Sequence, residues 1–186
     1  MDNSDEWVTK REAARQVRIV FERIGLLHAA YARVLVDELG EEEGRRLILK
    51  AIKRYGQHVG ALIKEQAEAR GLDNSTPEHY SGDLPAYGTH ERFDKIEVDG
   101  EVRLEACGCK LWRTWERLGE EDLGRLYCNV DVAKYMGFNP EFKQIHTRAP
   151  FLGDDHCELV VRPTTEQERA DFANPDADWS YLDRPD

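Results

Sequence analysis

The chain has 186 residues, 40% of them hydrophobic, with four cysteines and a formal net charge of -11. That size and apolar content suit one soluble core. The acidic balance excludes a phosphate-binding or anionic-membrane surface, because both need concentrated Lys and Arg. No run approaches about 18 apolar residues, so no bilayer-spanning helix is expected, and the start, MDNSDEW, lacks the character of a secretion signal. Sparse cysteines fit a reducing, cytoplasmic setting, where thiols serve metal binding or reactivity more often than bridges.

Two amphipathic helices open the chain. In the first, Val17, Val20, Phe21, Ile24, Leu27, His28, Tyr31, Val34 and Leu35 recur at steps of three and four, which predicts a core-facing stripe. Leu39-Gly40 ends it, and Glu41, Glu42 and Glu43 begin the second helix, where the macrodipole favours negative charge. Its apolar face reads Leu47, Ile48, Ala51, Ile52, Tyr55, Val59, Leu62 and Ile63, with Gly71 as the stop. The short link implies an antiparallel pair. Gly56 and Gly60, four apart, predict close approach by another helix.

From Asp73 to Arg92 the periodicity dissolves among Pro77, Gly82, Pro85 and Gly88. A loop this long is either a binding loop or a plain connector. A hairpin follows around Asp99-Gly100. Pairing Val98 with Val102 across a three-residue loop puts apolar residues on one face and opposite charges on the other. Helices are expected over Lys110 to about Leu118 and Glu121 to about Met136. A second strand pair, Phe142–Arg148 and Cys157–Arg162, is joined through Gly153-Asp154-Asp155. The expected fold class is therefore α+β: an N-terminal antiparallel helix pair plus further helices packed on an antiparallel sheet of about four strands. One domain spans 1–162, made of a helical hairpin (1–72), a long loop (73–92), and sheet and helices (93–162). Residues 163–186 form an acidic C-terminal tail whose Trp179 and Tyr181 predict docking.

Chemistry concentrates in four residues. Cys109 lies where a helix begins, a placement that lowers a thiol pKa, although free cysteine is also among the most buried residue types. Cys128 and Asp131 are three apart on a helix and share a face, with Tyr135 beyond them. Cys157 opens the last strand, after a Gly-Asp turn that accounts for its neighbours but not for the thiol.

These residues fall in an ordered series: Arg54-Tyr55-Gly56-x3-Gly60, Cys109 after a strand, Tyr127-Cys128-x-x-Asp131, Asn139-Pro140, a strand through Thr147, and Gly153-Asp154-Asp155-His156-Cys157-Glu158. The series, over roughly residues 40–162, resembles the L-2-amino-thiazoline-4-carboxylic acid hydrolase family, itself similar to vinyl-4-reductase-like ligand-binding domains. The family pattern places Pro after the first of these cysteines, whereas this chain reads Cys107-Gly108-Cys109-Lys110. The resemblance implies a hydrolase that opens a small cyclic amidine such as a 2-aminothiazoline carboxylate by cysteine-assisted attack. Cys109 or Cys128 is then the nucleophile, Asp131 the base, and His146, Arg148 and Cys157 line the substrate site, with His146 or Arg148 holding the carboxylate. No cofactor is needed in that reading. Two others stay open: zinc held by Cys109, Cys128, Asp131 and Cys157, with His146 a further donor, and a non-catalytic ligand sensor. The expected partner is a small molecule, not nucleic acid or membrane, and homo-oligomerisation is left open.

Overall fold

The computed structural model describes residues 7–184. The acidic start, apart from Trp7, and the last two residues of the tail lie outside them. Helix α1 (Lys10–Leu39) is capped by Thr9, whose hydroxyl accepts the Glu12 N–H at 3.2 Å. Helix α2 (Glu41–Ala69) runs back beside it after a single link residue, Gly40, at φ +82°. The antiparallel pair is as expected, but the buried faces are not. The residues of α1 that face the core are Phe21, Gly25, Ala29, Ala32 and Val36, whereas Val20, Leu27, Tyr31 and Val34 are exposed. Small residues win the inner face because α3 (Lys110–Leu118) lies against it: a Cβ on Gly25 would already touch Leu111 and Thr114, and the Trp115 indole donates to the Gly25 carbonyl at 3.1 Å. Helix α2 likewise buries Ile48, Ile52 and Ile63 but leaves Tyr55 and Leu62 exposed.

Strands β1 (Arg92–Val98), β2 (Glu101–Cys107), β3 (Phe142–Arg148) and β4 (Cys157–Pro163) form one antiparallel sheet in the order β1-β2-β4-β3. The α+β class and the four-strand sheet thus match expectation. The first hairpin does not: Val98 pairs with Glu101 and Glu97 with Val102 across a two-residue loop. Asp99 and Gly100 both take positive φ, 53° and 80°, the conformation Asp-Gly favours in a tight hairpin. β1 is an edge strand with most residues exposed, so no buried face pulls the register the other way.

The helix expected over Glu121 to Met136 is also broken. A single turn, α4 (Glu121–Gly124), gives way to a 3-10 stretch, Arg125–Asn129, and then to α5 (Val130–Phe138). Within the 3-10 stretch the Asn129 side chain donates to the Leu126 carbonyl at 3.1 Å, a local bond that competes with helical pairing. The expected close approach at Gly56 and Gly60 is present: α5 crosses there, and a Cβ on either glycine would collide with Ala133, or with the backbone of Lys134, Gly137 and Phe138. This crossing seats α5 over the inner face of β3.

The tail docks. Thr165 and Glu168 form a capping box that starts α6 (Glu166–Ala173), and Lys143 binds Glu168 at 2.5 Å. Lys53 of α2 donates to the Asn174 carbonyl at 2.9 Å and lies 5.0 Å over the Phe172 ring. Trp179 and Leu182 are buried, which carries Asp183 against β3.

Candidate active site

Strand alternation puts Leu104, Ala106, Gln144, His146, Cys157 and Leu159 on the inner face of the sheet, and a cavity of about 370 Å³ lies between that face and the helices. Cys109 and Trp112 of α3 form one wall. Cys128, Asp131, Lys134 and Tyr135 form another, and Phe21 and Tyr55 reach in from α1 and α2. The 73–92 loop supplies Tyr80, Asp83 and His90, so it is a wall of the cavity rather than a plain connector. Two contacts fix it there: Asp83 pairs with Lys134 at 2.7 Å, and Tyr80 stacks on Tyr135 with centroids 4.1 Å apart.

Cys109 stands at the N-cap of α3, where the helix begins, as expected, and the N–H groups of Leu111 and Trp112 favour its thiolate. Burial nevertheless dominates and pushes the thiol up to about 11. The expectation of a lowered pKa is therefore corrected: two backbone donors at the helix terminus do not offset the loss of water. Burial likewise drives Cys128 well above the ordinary thiol range. Cys107 faces away from the cavity and accepts from Arg92 at 3.1 Å.

Cys157 has a different setting. His146, on the neighbouring strand, shares the inner face with Cys157, and the thiol favours its charged form. The Nδ1 atom of His146 lies 3.0 Å from both carboxylate oxygens of Asp183, and Asp183 also accepts the His146 backbone N–H at 2.9 Å. With Nδ1 so engaged, Nε2 is the ring nitrogen left to face the thiol. Burial opposes a charged imidazole here, but Asp183, Cys157 and Asp131 together outweigh it and raise His146 well above its usual value. Phe151 packs edge-on to the ring at 5.4 Å and holds its orientation. The result is an ordered Cys157–His146–Asp183 relay opening into the cavity.

Asp131 lies beside this relay, 3.8 Å from His146 Nε2, but its closest partner is Lys134 at 2.9 Å. Lys134 is buried between Asp131 and Asp83. Burial disfavours its charge, yet the two carboxylates and Tyr80 hold it well above the ordinary lysine range. Arg148, expected near the substrate, is exposed on the far side, paired with Asp154 at 3.0 Å and Glu158 at 3.7 Å. A side chain at an even step from His146 should share its face, but a register shift between His146 and Arg148 ends that alternation. Among the described residues no three His, Cys, Asp or Glu side chains converge to hold a metal ion.

The structure thus brings together Cys109, Cys128, Asp131, His146 and Cys157 around one cavity, and adds three residues that sequence reasoning missed. Lys134 had a signal, since it continues the spacing of Cys128 and Asp131 along one helical face. Asp83 and Asp183 had none, because only the docking of loop and tail places them.

A family model described as L-2-amino-thiazoline-4-carboxylic acid hydrolase matches residues 18–161. No curated protein and no solved structure matches the chain. No helix among the described residues is long and apolar enough to cross a membrane.

Proposed function

Because the chain belongs to the L-2-amino-thiazoline-4-carboxylic acid hydrolase family, we propose that it hydrolyses a small cyclic amidine by covalent catalysis at Cys157. The observation that carries this reading is the Asp183–His146–Cys157 series of contacts at the cavity wall. Nucleophile, base and orienting carboxylate in that order are what thiol hydrolysis requires. Cys109 and Cys128 are then cavity-lining thiols kept neutral by burial, Asp131 is an anchor for a cationic substrate, and His146 is the base rather than a carboxylate holder.

The steps follow from the groups present. The Cys157 sulfur attacks the amidine carbon, the carbon bonded to two ring heteroatoms and an amino nitrogen, with its proton passing to Nε2 of His146 in its neutral form, whose Nδ1–H stays on Asp183. Asp183 keeps the imidazole oriented and balances its charge. The tetrahedral adduct collapses with cleavage of one ring bond, and His146 returns the proton to the departing ring atom. Water then attacks the carbon now bound to Cys157, His146 taking its proton, and the thiol is released. Asp131, beside the site, offers a carboxylate to the amidinium nitrogens.

Alanine substitution of each thiol tests the assignment. With a 2-aminothiazoline as substrate, Cys157→Ala should lose about 10³-fold or more in kcat, as loss of a nucleophile does. Cys109→Ala and Cys128→Ala should stay within about tenfold of the parent, on the same principle. Retained turnover in Cys157→Ala, with loss at either other thiol, would overturn it.

A further inference from the structure

Resting on the reading of this cavity as the substrate site, we propose that the substrate is a cationic cyclic amidine bearing a planar apolar arm where the family's named compound bears a carboxylate. Charge is the first reason. Among the described residues lining the main cavity, Lys134 is the one ammonium or guanidinium group, and Asp83 and Asp131 already hold it at 2.7 and 2.9 Å. His90 is kept neutral by burial, which pushes it down to about 4. The His146 charge belongs to Asp183. Two carboxylates against one ammonium favour a cation and leave nothing to receive a carboxylate.

Size and lining are the second reason. About 370 Å³ falls in the range that accommodates drug-sized ligands, roughly 300–1,000 Å³. An aminothiazoline carboxylate is one five-membered ring with two small substituents. The remaining space is faced by Phe21, Phe93, Trp112, Trp115 and Phe151, and such aromatic walls gain most from a flat apolar group.

Comparison of 2-aminothiazoline-4-carboxylate with 2-amino-4-phenylthiazoline tests this on the purified protein. The phenyl compound should show kcat/KM higher by at least about tenfold, a modest return for an apolar group entering an apolar pocket. A higher kcat/KM for the carboxylate overturns the inference and leaves the thiol chemistry standing. If neither compound turns over, calorimetry decides: tighter binding of the phenyl compound supports the apolar arm and locates the failure in the thiol chemistry, and equal or weaker binding overturns the inference.

The solvent side of α1 carries a separate feature. Val20, Ile24, Leu27, Tyr31 and Val34 recur at alternating steps of four and three, the spacing of a coiled-coil seam. Four of them are 57–65% exposed, and Ile24, at the edge of the stripe, packs partly against the core. Lys10, Arg11, Arg15, Arg18 and Arg23 outnumber Glu12 and Glu22 in the first half of α1, whereas Asp37 and Glu38 outnumber Arg33 in the second. We infer that this stripe packs against the same stripe of a second copy, antiparallel. About a two-fold axis near residue 29, Leu27 meets the partner's Tyr31, Ile24 meets the partner's Val34, and Arg23 meets the partner's Asp37, each contact occurring twice. A parallel pair would instead set the basic halves side by side.

Sedimentation equilibrium through the micromolar range should find a dimer. Leu27→Glu, at a solvent-exposed position, should yield a folded monomer with an unchanged circular dichroism spectrum. Arg23→Glu and Asp37→Arg should each weaken the dimer, and the double variant should restore it, because the exchanged charges again face each other. A monomeric parent protein, a dimer unmoved by Leu27→Glu, or a double variant weaker than both single ones would overturn the antiparallel pairing.

Discussion

Replacing the Asp183 carboxylate by an amide isolates the part of the relay that depends on charge. Asp183 is buried, accepts the His146 backbone N–H at 2.9 Å through Oδ1, and meets His146 Nδ1 at 3.0 Å through both oxygens. In Asp183→Asn the amide oxygen, at the Oδ1 position, can keep the bond from the His146 backbone N–H. The amide NH2 then faces Nδ1 and favours the tautomer that places the proton on Nε2, the nitrogen that must accept it from Cys157. Turnover should therefore fall by about 10²–10⁴, or roughly 3–5 kcal/mol of barrier at 1.36 kcal/mol per decade. The loss in stability should be smaller, about 1–2 kcal/mol, the difference between charge-assisted and neutral hydrogen bonds. Its pH dependence has a definite sign. A folded-state pKa raised above the unfolded value of 6.5 stabilises the protein fully below that value, and the contribution is lost as pH rises through the folded pKa. Urea unfolding at mildly acidic and at alkaline pH should show that decline in the parent protein and a flatter profile in Asp183→Asn. An amide variant with parental kcat, or with an unchanged pH profile of stability, would refute this role for Asp183.

Three further outcomes follow from the packing around the site. Lys134→Met leaves Asp83 and Asp131 without their shared cation, which should cost about 3–5 kcal/mol in urea unfolding and render the 73–92 loop sensitive to proteolysis. Gly60→Ala should destabilise by about 1–3 kcal/mol in the same assay despite alanine's better helix propensity, because its Cβ would press on the backbone of α5; a stabilised variant would mean that α2 and α5 can separate at no cost. Burial holds His90 at about 4 against 6.5 unfolded. Stability present above pH 6.5 should thus drain away as pH falls toward 4, by up to about 3 kcal/mol, and His90→Gln should lack that component in a pH series of thermal melts.

The elements of this fold were legible where residue periodicity and turn chemistry agree. The second strand pair, the helix pair hinged at Gly40 and the small-residue contact at Gly56 and Gly60 are of this kind. The inward face of α1 was misread because the larger apolar residues Leu27, Tyr31 and Val34 lie on a different side from Gly25, Ala29 and Ala32. Periodicity marks an apolar stripe without saying what covers it, and size alone favours the wrong one. The first hairpin was misread because side-chain pairing was weighed above the Asp-Gly turn, on an edge strand where burial exerts little pull.

At the site, four residues singled out in the sequence, Cys109, Cys128, Asp131 and Cys157, do line one cavity, but their surroundings were not readable. Whether a helix terminus or burial controls Cys109 depends on how much water the fold excludes. Whether Asp131 is free depends on Lys134, one turn along, and on Asp83, which arrives from a loop with no periodicity. The partner of His146 comes from the tail, 37 residues away, held there by Trp179, Leu182 and the Lys53 contact at Asn174. No local pattern encodes a contact of that range.

The central claim is that Cys157 is the nucleophile, and labelling with 2-chloroacetamidine tests it most directly. This reagent is a small amidinium that carries its own alkylating carbon, so a cavity with carboxylates in excess draws it to the reactive thiol. Peptide mass mapping of partly inactivated protein should find a single adduct on Cys157, in proportion to lost activity, and Asp183→Asn should slow its formation. An adduct on Cys109 or Cys128 that tracks the loss of activity, with Cys157 unmodified, would contradict it.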